Sequence, residues 1–221
     1  MSKQPKPTSL YMPSHAVILC HPDPSSFNAS VAQTYCDAVR ALRREVVLRD
    51  LYRIDFDPVL KSSERPRDRE FVASRDVVAE MDAIRDADVF VLVYPIWFGT
   101  PPAMMKGYVE RVFGADFGYR AIQARDPHFM AGKHLVSITS SGTSFPWLNE
   151  QGAWESLRNV FDRYLANAFS MASCEHLHIS NVVDDMGERS VREELFRVTE
   201  FARQTCARLG HGVPTGSALS A

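Results

Sequence analysis

Short, uninterrupted apolar runs alternate along this chain with longer stretches in which apolar residues recur every three or four positions. "HAVILC" (15–20) is continuous, the pattern of a strand buried on both faces. Val31, Tyr35, Val39 and Leu42 then recur at helical spacing and stop at "RRE". "EVVLRDL" (45–51) reads as a second strand, and "KSSERPRDREF" (61–71), charged and interrupted by proline, as a solvated loop. Val78, Met81 and Ile84 mark a helix that leads into "DADVFVLVYPIW", whose core (89–94) is the clearest strand in the chain. "PPAMMKGYVERVFG" (101–114) opens on prolines and closes on glycine, as a helix does. "KHLVSIT" (133–139) is the fourth strand, and Trp154, Leu157, Phe161, Tyr164 and Leu165 define a long helix. "EHLHISNVV" (175–183) is the fifth strand, and Val191, Leu195, Val198 and Ala202 carry the last helix.

Strands that each hand over to a helix predict an α/β domain, a doubly wound sheet of five parallel strands with helices on both faces. The domain is expected over 14–210, between disordered tails at 1–13 and 211–221. With 221 residues, 45% of them hydrophobic, the chain buries a full core as one domain. A net charge of -2 and a pI near 6.4 give no nucleic-acid footprint, so no nucleic-acid partner is expected. The N-terminal segment lacks the apolar stretch of a secretory signal, and no run approaches a membrane span. Cys20, Cys36, Cys174 and Cys206 form no C-x-x-C pair. They read as buried thiols of a cytoplasmic protein.

Ligands of such sheets bind beyond the carboxyl ends of the strands, which gives weight to three loops. In "HPDPSSFNAS" (21–30), Ser25, Ser26 and Asn28 stand where the first helix begins. The unpaired N–H groups of a helix start, with hydroxyls and His21, suit a phosphate without a glycine-rich turn. Ser26 acting only as a helix cap explains the same residues. "YPIWFGTPPA" (94–103) places Trp97 and Phe98 just past the buried third strand. A proline-stiffened apolar loop with backbone N–H groups suits a flat aromatic ligand, and core or interface packing is the alternative. "TSSGTS" (139–144) offers hydroxyls and a glycine to a polar ring edge, or is an ordinary turn.

Taken together, "YPIWFGTPPAMMKGYVERVFGADFGY" and "HPDPSSFN" resemble the strand-loop-helix signature and first loop of the flavodoxin-like NAD(P)H:quinone oxidoreductases. The resemblance implies a non-covalently bound flavin, FMN with FAD as the alternative, and NAD(P)H as electron donor. It implies that His21, Ser26, Phe27 and Asn28 border the flavin phosphate and ribityl chain. Pro95, Ile96, Trp97, Phe98 and Gly99 would line one edge of the isoalloxazine, and Thr139, Ser140, Ser141 and Gly142 its pyrimidine end. Tyr119 looks like a family tyrosine that reaches the substrate pocket, often across a dimer interface. Trp147 and Trp154 stand where mammalian members place a tyrosine and a histidine, which puts a proton relay through those two positions in doubt; Trp147 is assigned to the substrate pocket. The implied activity is two-electron, ping-pong hydride transfer through flavin N5 to a quinone or similar flat acceptor. A homodimer is implied as well, formed through the apolar helix "AMMKGYVERVF" and Tyr119.

Three rival readings remain: an accessory redox subunit of a potassium efflux system, with a membrane transporter as partner, a flavodoxin-like electron carrier, or a related reductase acting on azo compounds or free flavin. No residue is assigned as catalytic in its own right, because the flavin carries the chemistry. His176 and His178, with Asp184, Asp185 and Glu188 after them, read as an exposed strand end rather than a metal site.

Overall fold

The computed structural model describes residues 12–65, 71–118 and 128–210. The strand-like runs form β1 (His15–Leu19), β2 (Val46–Asp50), β3 (Val89–Pro95), β4 (His134–Ser140) and β5 (Ser173–Ile179). All pair in parallel, in the order β2-β1-β3-β4-β5. All seven residues of β3 are buried, as expected of a central strand covered on both faces.

Strand alternation divides the core in two. Val17, Leu19, Val89, Val91 and Val93 face one layer of helices, α1 (Phe27–Ala41) and α7 (Glu188–Gly210). Ala16, Ile18, Phe90, Leu92 and Tyr94 face the other. That second layer holds α2 (Arg75–Ile84), α3 (Ala103–Tyr108), and a run of α4 (Phe145–Glu150), α5 (Ala153–Leu157) and α6 (Tyr164–Ala168). Each fully buried large aliphatic or aromatic side chain contributes roughly 1.5–3 kcal/mol, so the two layers dominate stability.

Several elements depart from the periodic reading. The helix through 101–114 is α only to Tyr108, and Val109–Phe113 continues it as a π-helical turn closed by Gly114. Arg158–Arg163 is a second π-turn between α5 and α6. The extra residue in that turn rotates the start of α6, so Tyr164, counted with the apolar stripe, is exposed. Val77, not Val78, takes the inward place on α2. β5 begins earlier than expected and ends at Ile179, because Asn181 adopts a left-handed conformation (φ 58°) that breaks the strand. The expected tails lie outside the described residues except for exposed Met12 and buried Pro13.

The charged segment "KSSERPRDREF" is not wholly solvated. Ser62–Glu64 forms a 3-10 turn, and the Glu64 side chain, 1% exposed, pairs with the fully buried Arg111. Arg111 Nε and Nη2 donate to Glu64 at 2.8 and 2.7 Å, and Nη1 donates to Asp76 at 2.7 Å and to the Asp57 carbonyl. Burial alone would raise the Glu64 carboxyl. The hydrogen bonds from Arg111, Ser74 and Lys61 together outweigh it and hold the group at about 2. Residues 66–70 lie outside the described part. The apolar residues of the 103–113 helix, among them Met105, Tyr108, Val112 and Phe113, are spent on the chain's own core. Their composition therefore gives no separate argument for a second copy.

Cys20, Cys36 and Cys206 are buried and Cys174 half-buried, all as free thiols. His15, also buried, bonds Tyr35 Oη through Nδ1 at 3.1 Å and faces Cys206 Sγ through Nε2 at 3.6 Å. Burial foremost, with the Arg44 charge added, pushes its imidazole down to about 4. A base depressed in the folded state stabilises the fold fully above the ordinary value near 6.5, and that stabilisation is lost as pH falls towards the folded value. Wild type is therefore expected to lose roughly 2–3 kcal/mol between pH 6.5 and 4.5 from His15 alone. Urea unfolding of His15→Gln at both pH values checks this. The variant should be flatter with pH, and equal acid sensitivity would assign the loss elsewhere.

Candidate functional site

From β1 the chain moves to one side to form β2, then crosses β1 to lay down β3 on the other side. The connections leaving β1 and β3 therefore diverge, opening a crevice at their carboxyl ends. A cavity of about 550 Å³ lies there. Its walls include His21, Ser26, Phe27 and Asn28 from the first loop, Pro95, Ile96 and Trp97 from the second, and Ser140, Ser141 and Gly142 from the third. Three segments far apart in sequence thus meet in one place.

Ser26 is the N-cap of α1: its backbone is extended (φ -63°, ψ 158°) and its Oγ accepts from the Ala29 N–H at 3.2 Å. Capping and cavity lining coincide in one residue. Asp23 Oδ1 accepts from the Ser25 N–H at 2.8 Å and from its Oγ at 2.7 Å, so a carboxylate already holds the Ser25 donors. Those hydrogen bonds lower the Asp23 carboxyl below its usual range. His21 Nδ1 lies 3.1 Å from the Asp23 backbone nitrogen and 3.2 Å from the Asp23 carbonyl, so the ring is held at the start of the loop. Asn28 is buried and exchanges hydrogen bonds with Ser140 Oγ, Nδ2 donating at 2.9 Å, which ties the start of α1 to the end of β4. The N–H groups at the first helical positions, Phe27 and Asn28, have no partner within the helix and remain for an anion.

The second loop is a tight turn in which Trp97 and Thr100 exchange backbone hydrogen bonds at 3.0 and 3.1 Å. The Ile96 N–H donates to the Ser140 carbonyl at 2.7 Å. Two of the backbone N–H groups expected to face a ligand are therefore engaged. Phe98 and Gly99 form the tip of the turn, at φ 51° and 80°. Neither lines the cavity, and the Phe98 side chain is fully exposed. A phenylalanine held at positive φ has a strained backbone, and its ring gains nothing from burial to offset it. The Trp97 ring packs at 5.7 Å from His21 and is 39% exposed, so it forms a rim rather than a buried wall.

At the third loop, Thr139 is 1% exposed and lies behind the cavity rather than in it. Its Oγ1 is bonded to His176 Nε2 at 2.7 Å and His178 Nδ1 at 2.9 Å. The two histidines are not an exposed strand end. The His176 side chain is 2% exposed and paired through Nδ1 with Asp162, and Trp154 covers both rings at 4.6 and 5.2 Å. Burial foremost, with His176 and Arg197 adding to it, pushes His178 down to about 4. Trp147 is half-exposed on α4 and outside the cavity, and Tyr119 lies outside the described residues.

The segment between β5 and α7 closes the cavity with Val182, Val183, Asp184 and Met186, joined by Val191 of α7. The sequence pattern puts the valines in a strand, names Asp184 only among the groups weighed for a metal, and gives no weight to Asp23. An Asx turn at "DPS" was the available signal for Asp23. Among the described residues, no lysine or arginine lines the cavity. Among the described residues, no group of three or more His, Cys, Asp or Glu side chains could hold a metal ion, and no helix is long and apolar enough to cross a membrane.

A family profile described as flavodoxin-like fold matches residues 14–200. An uncharacterized NAD(P)H oxidoreductase of Haemophilus influenzae is 26% identical over 182 residues, covering 81% of this chain and 90% of that protein. NAD(P)H dehydrogenase [quinone] 1 of Cavia porcellus is 31% identical over 147 residues, which is 58% of this chain and about half (53%) of the guinea-pig protein. Among solved structures, the NAD(P)H:quinone oxidoreductase from Methanothermobacter marburgensis superposes with a TM-score of 0.75 at 21% identity, over 88% of this chain and 96% of that one.

Proposed function

The chain belongs to the flavodoxin-like fold family and is an oxidoreductase, and from that premise we propose that it holds FMN in the cavity between β1 and β3 and reduces a quinone-like acceptor with NAD(P)H. The observation that carries this reading is the meeting of the three loops over the start of α1. A volume of about 550 Å³ falls in the range of pockets that enclose a small ligand. In this reading the Phe27 and Asn28 N–H groups and the Ser26 hydroxyl hold the phosphate, by donors and helix dipole without a cation. Ile96 and Trp97 support one edge of the ring system, and Ser141 and Gly142 meet its polar end. Bound there, the flavin supplies hydride acceptance from the nicotinamide and two-electron delivery to the acceptor.

Titration followed by flavin fluorescence tests the cofactor. Saturable binding at or below micromolar FMN is expected, a free energy of about -8 kcal/mol or better, and its absence would remove the proposal. Because one pocket serves donor and acceptor in turn, initial-rate lines across a matrix of both substrates should be parallel. Intersecting lines would mean that both are bound together and that the shared cavity is the wrong description.

A further inference from the structure

A continuous line of hydrogen bonds runs from the cavity wall into the protein. Ser141 Oγ, on the wall, lies 3.1 Å from His178 Nε2. His178 Nδ1 lies 2.9 Å from Thr139 Oγ1, which lies 2.7 Å from His176 Nε2. His176 Nδ1 meets Asp162 Oδ2 at 2.5 Å, and Ser137 Oγ donates to Asp162 Oδ1 at 2.7 Å. Asp162 reaches this position because it lies in the π-turn Arg158–Arg163, whose extra residue turns Phe161 and Asp162, neighbours in sequence, both inward. Such turns recur at functional sites. We propose that this chain is a proton store: it takes a proton from the cavity at Ser141 and holds it on His176 against the Asp162 carboxylate.

Both states satisfy every hydrogen bond along the line from Ser141 to Asp162. With His176 neutral, the hydrogens point inward: Ser141 Oγ–H to His178 Nε2, His178 Nδ1–H to Thr139 Oγ1, Thr139 Oγ1–H to His176 Nε2, and His176 Nδ1–H to Asp162. A proton arriving at Ser141 Oγ displaces that hydroxyl's hydrogen onto His178 Nε2. His178 Nδ1 passes its hydrogen to Thr139, and Thr139 passes its own to His176 Nε2. One proton has entered, His176 carries two N–H groups, and the Ser141 hydroxyl turns to the Thr143 carbonyl at 2.9 Å. His178, depressed to about 4, passes protons without keeping one. The far end is closed, since the His176 and Asp162 side chains are 2% and 3% exposed, so the proton leaves the way it came.

Asp162 from the π-turn pairs with His176, and the Arg197 charge from α7 acts on His178. Around them, Tyr94 of β3 and Cys174 of β5 feel the Asp162 charge, Arg158 and Arg163 of the π-turn act on Cys174 with Glu175, and Arg158 lies over the Trp154 ring. Phe145 and Trp154 shield the pair from water. The use of the store rests on the proposed function above. Reducing a quinone takes one hydride and one proton per turnover, and a store that opens only on the cavity supplies the proton there while the two substrates exchange.

The test begins on flavin-free protein with 15N-labelled histidine. In wild type, the His178 hydrogen is expected to move from Nδ1 to Nε2 over the same pH interval in which His176 gains its second hydrogen. Histidines that merely fill the core would show no such coupled exchange. If His178 keeps one tautomer throughout, the store is refuted, whatever the variants do. Thr139→Val should uncouple the two rings and Thr139→Ser should restore the coupling. With FMN and NAD(P)H added, Thr139→Val should lower acceptor turnover at least tenfold and shrink the solvent deuterium effect, again with rescue by serine. Unchanged turnover in an uncoupled, flavin-loaded Thr139→Val protein would overturn the role in catalysis. A protein whose rings exchange but that binds no FMN would overturn the reading of the cavity and leave the store standing.

Discussion

A folded Ser26→Asp protein is expected to bind FMN at least tenfold more weakly than wild type, with the apo-protein melting temperature nearly unchanged. The two outcomes separate because Ser26 has two roles. As N-cap it accepts from the Ala29 N–H, and aspartate does this equally well while suiting the positive end of α1. As part of the cavity wall it stands where the phosphate is proposed to lie, and a carboxylate there repels the anion and takes its donors. Each charge-assisted hydrogen bond lost contributes roughly 1.5–3 kcal/mol, enough for the tenfold change with one bond alone. Asp23 sharpens the comparison, because that carboxylate already holds Ser25 and leaves the first helical N–H groups as the donors that matter. Ser25→Asp is the companion variant. Affinity is read by fluorescence titration at two salt concentrations and stability by thermal melting. Wild-type affinity in a folded Ser26→Asp protein would reduce this loop to a helix cap.

Arg111→Met is expected to cost about 3–5 kcal/mol of folding stability, the usual effect of removing one partner of a buried ion pair. The loss comes less from the missing attraction than from the group left behind, a Glu64 carboxylate 1% exposed with no cation beside it. Asp76, 38% exposed, can turn to water and suffers little. The double variant Arg111→Met, Glu64→Met should therefore recover more than half of the loss, although it removes two charges instead of one. Urea unfolding of the three proteins at pH 7 decides the point. A double variant no more stable than the single one would mean that Arg111 works through its bond to the Asp57 carbonyl and its place over the Phe56 ring at 5.2 Å.

The sheet was legible from sequence because strands buried on both faces are written as unbroken apolar runs, "VFVLVY" most plainly. The first half of the candidate site followed, since loops leaving β1, β3 and β4 must open on the same edge. What stayed hidden has physical reasons. A π-turn adds a residue without changing composition, so neither the inward Asp162 nor the outward Tyr164 could be read from spacing. His176 and His178 lie on an edge strand, and their cover, Trp154 and Phe145, comes from helices that the local pattern of β5 does not report. The family resemblance implies a place for Thr139 at the pyrimidine end of the flavin. The alternation of β4 turns it instead towards the histidines of β5, while Ser141, two residues on, reaches both the cavity and His178.

The order of the sheet also decides where the protein is safe from aggregation and where it is not. Its two outer strands are poor templates for a foreign strand. β2 is five residues long and carries Arg49 and Asp50, and β5 carries Glu175, paired with Arg208 at 2.5 Å, between its histidines and the strand start. The centre is the opposite case: "VFVLVYP" has no charge, is rich in β-branched residues, and has its only proline at the end. While α1, α7 and the second helical layer hold, that segment touches neither water nor another chain. Partial unfolding that lifts the helices and leaves the strands exposes this uncharged seven-residue segment. Loss of this protein on heating would therefore begin in the middle of the sheet, with its charged margins giving no protection.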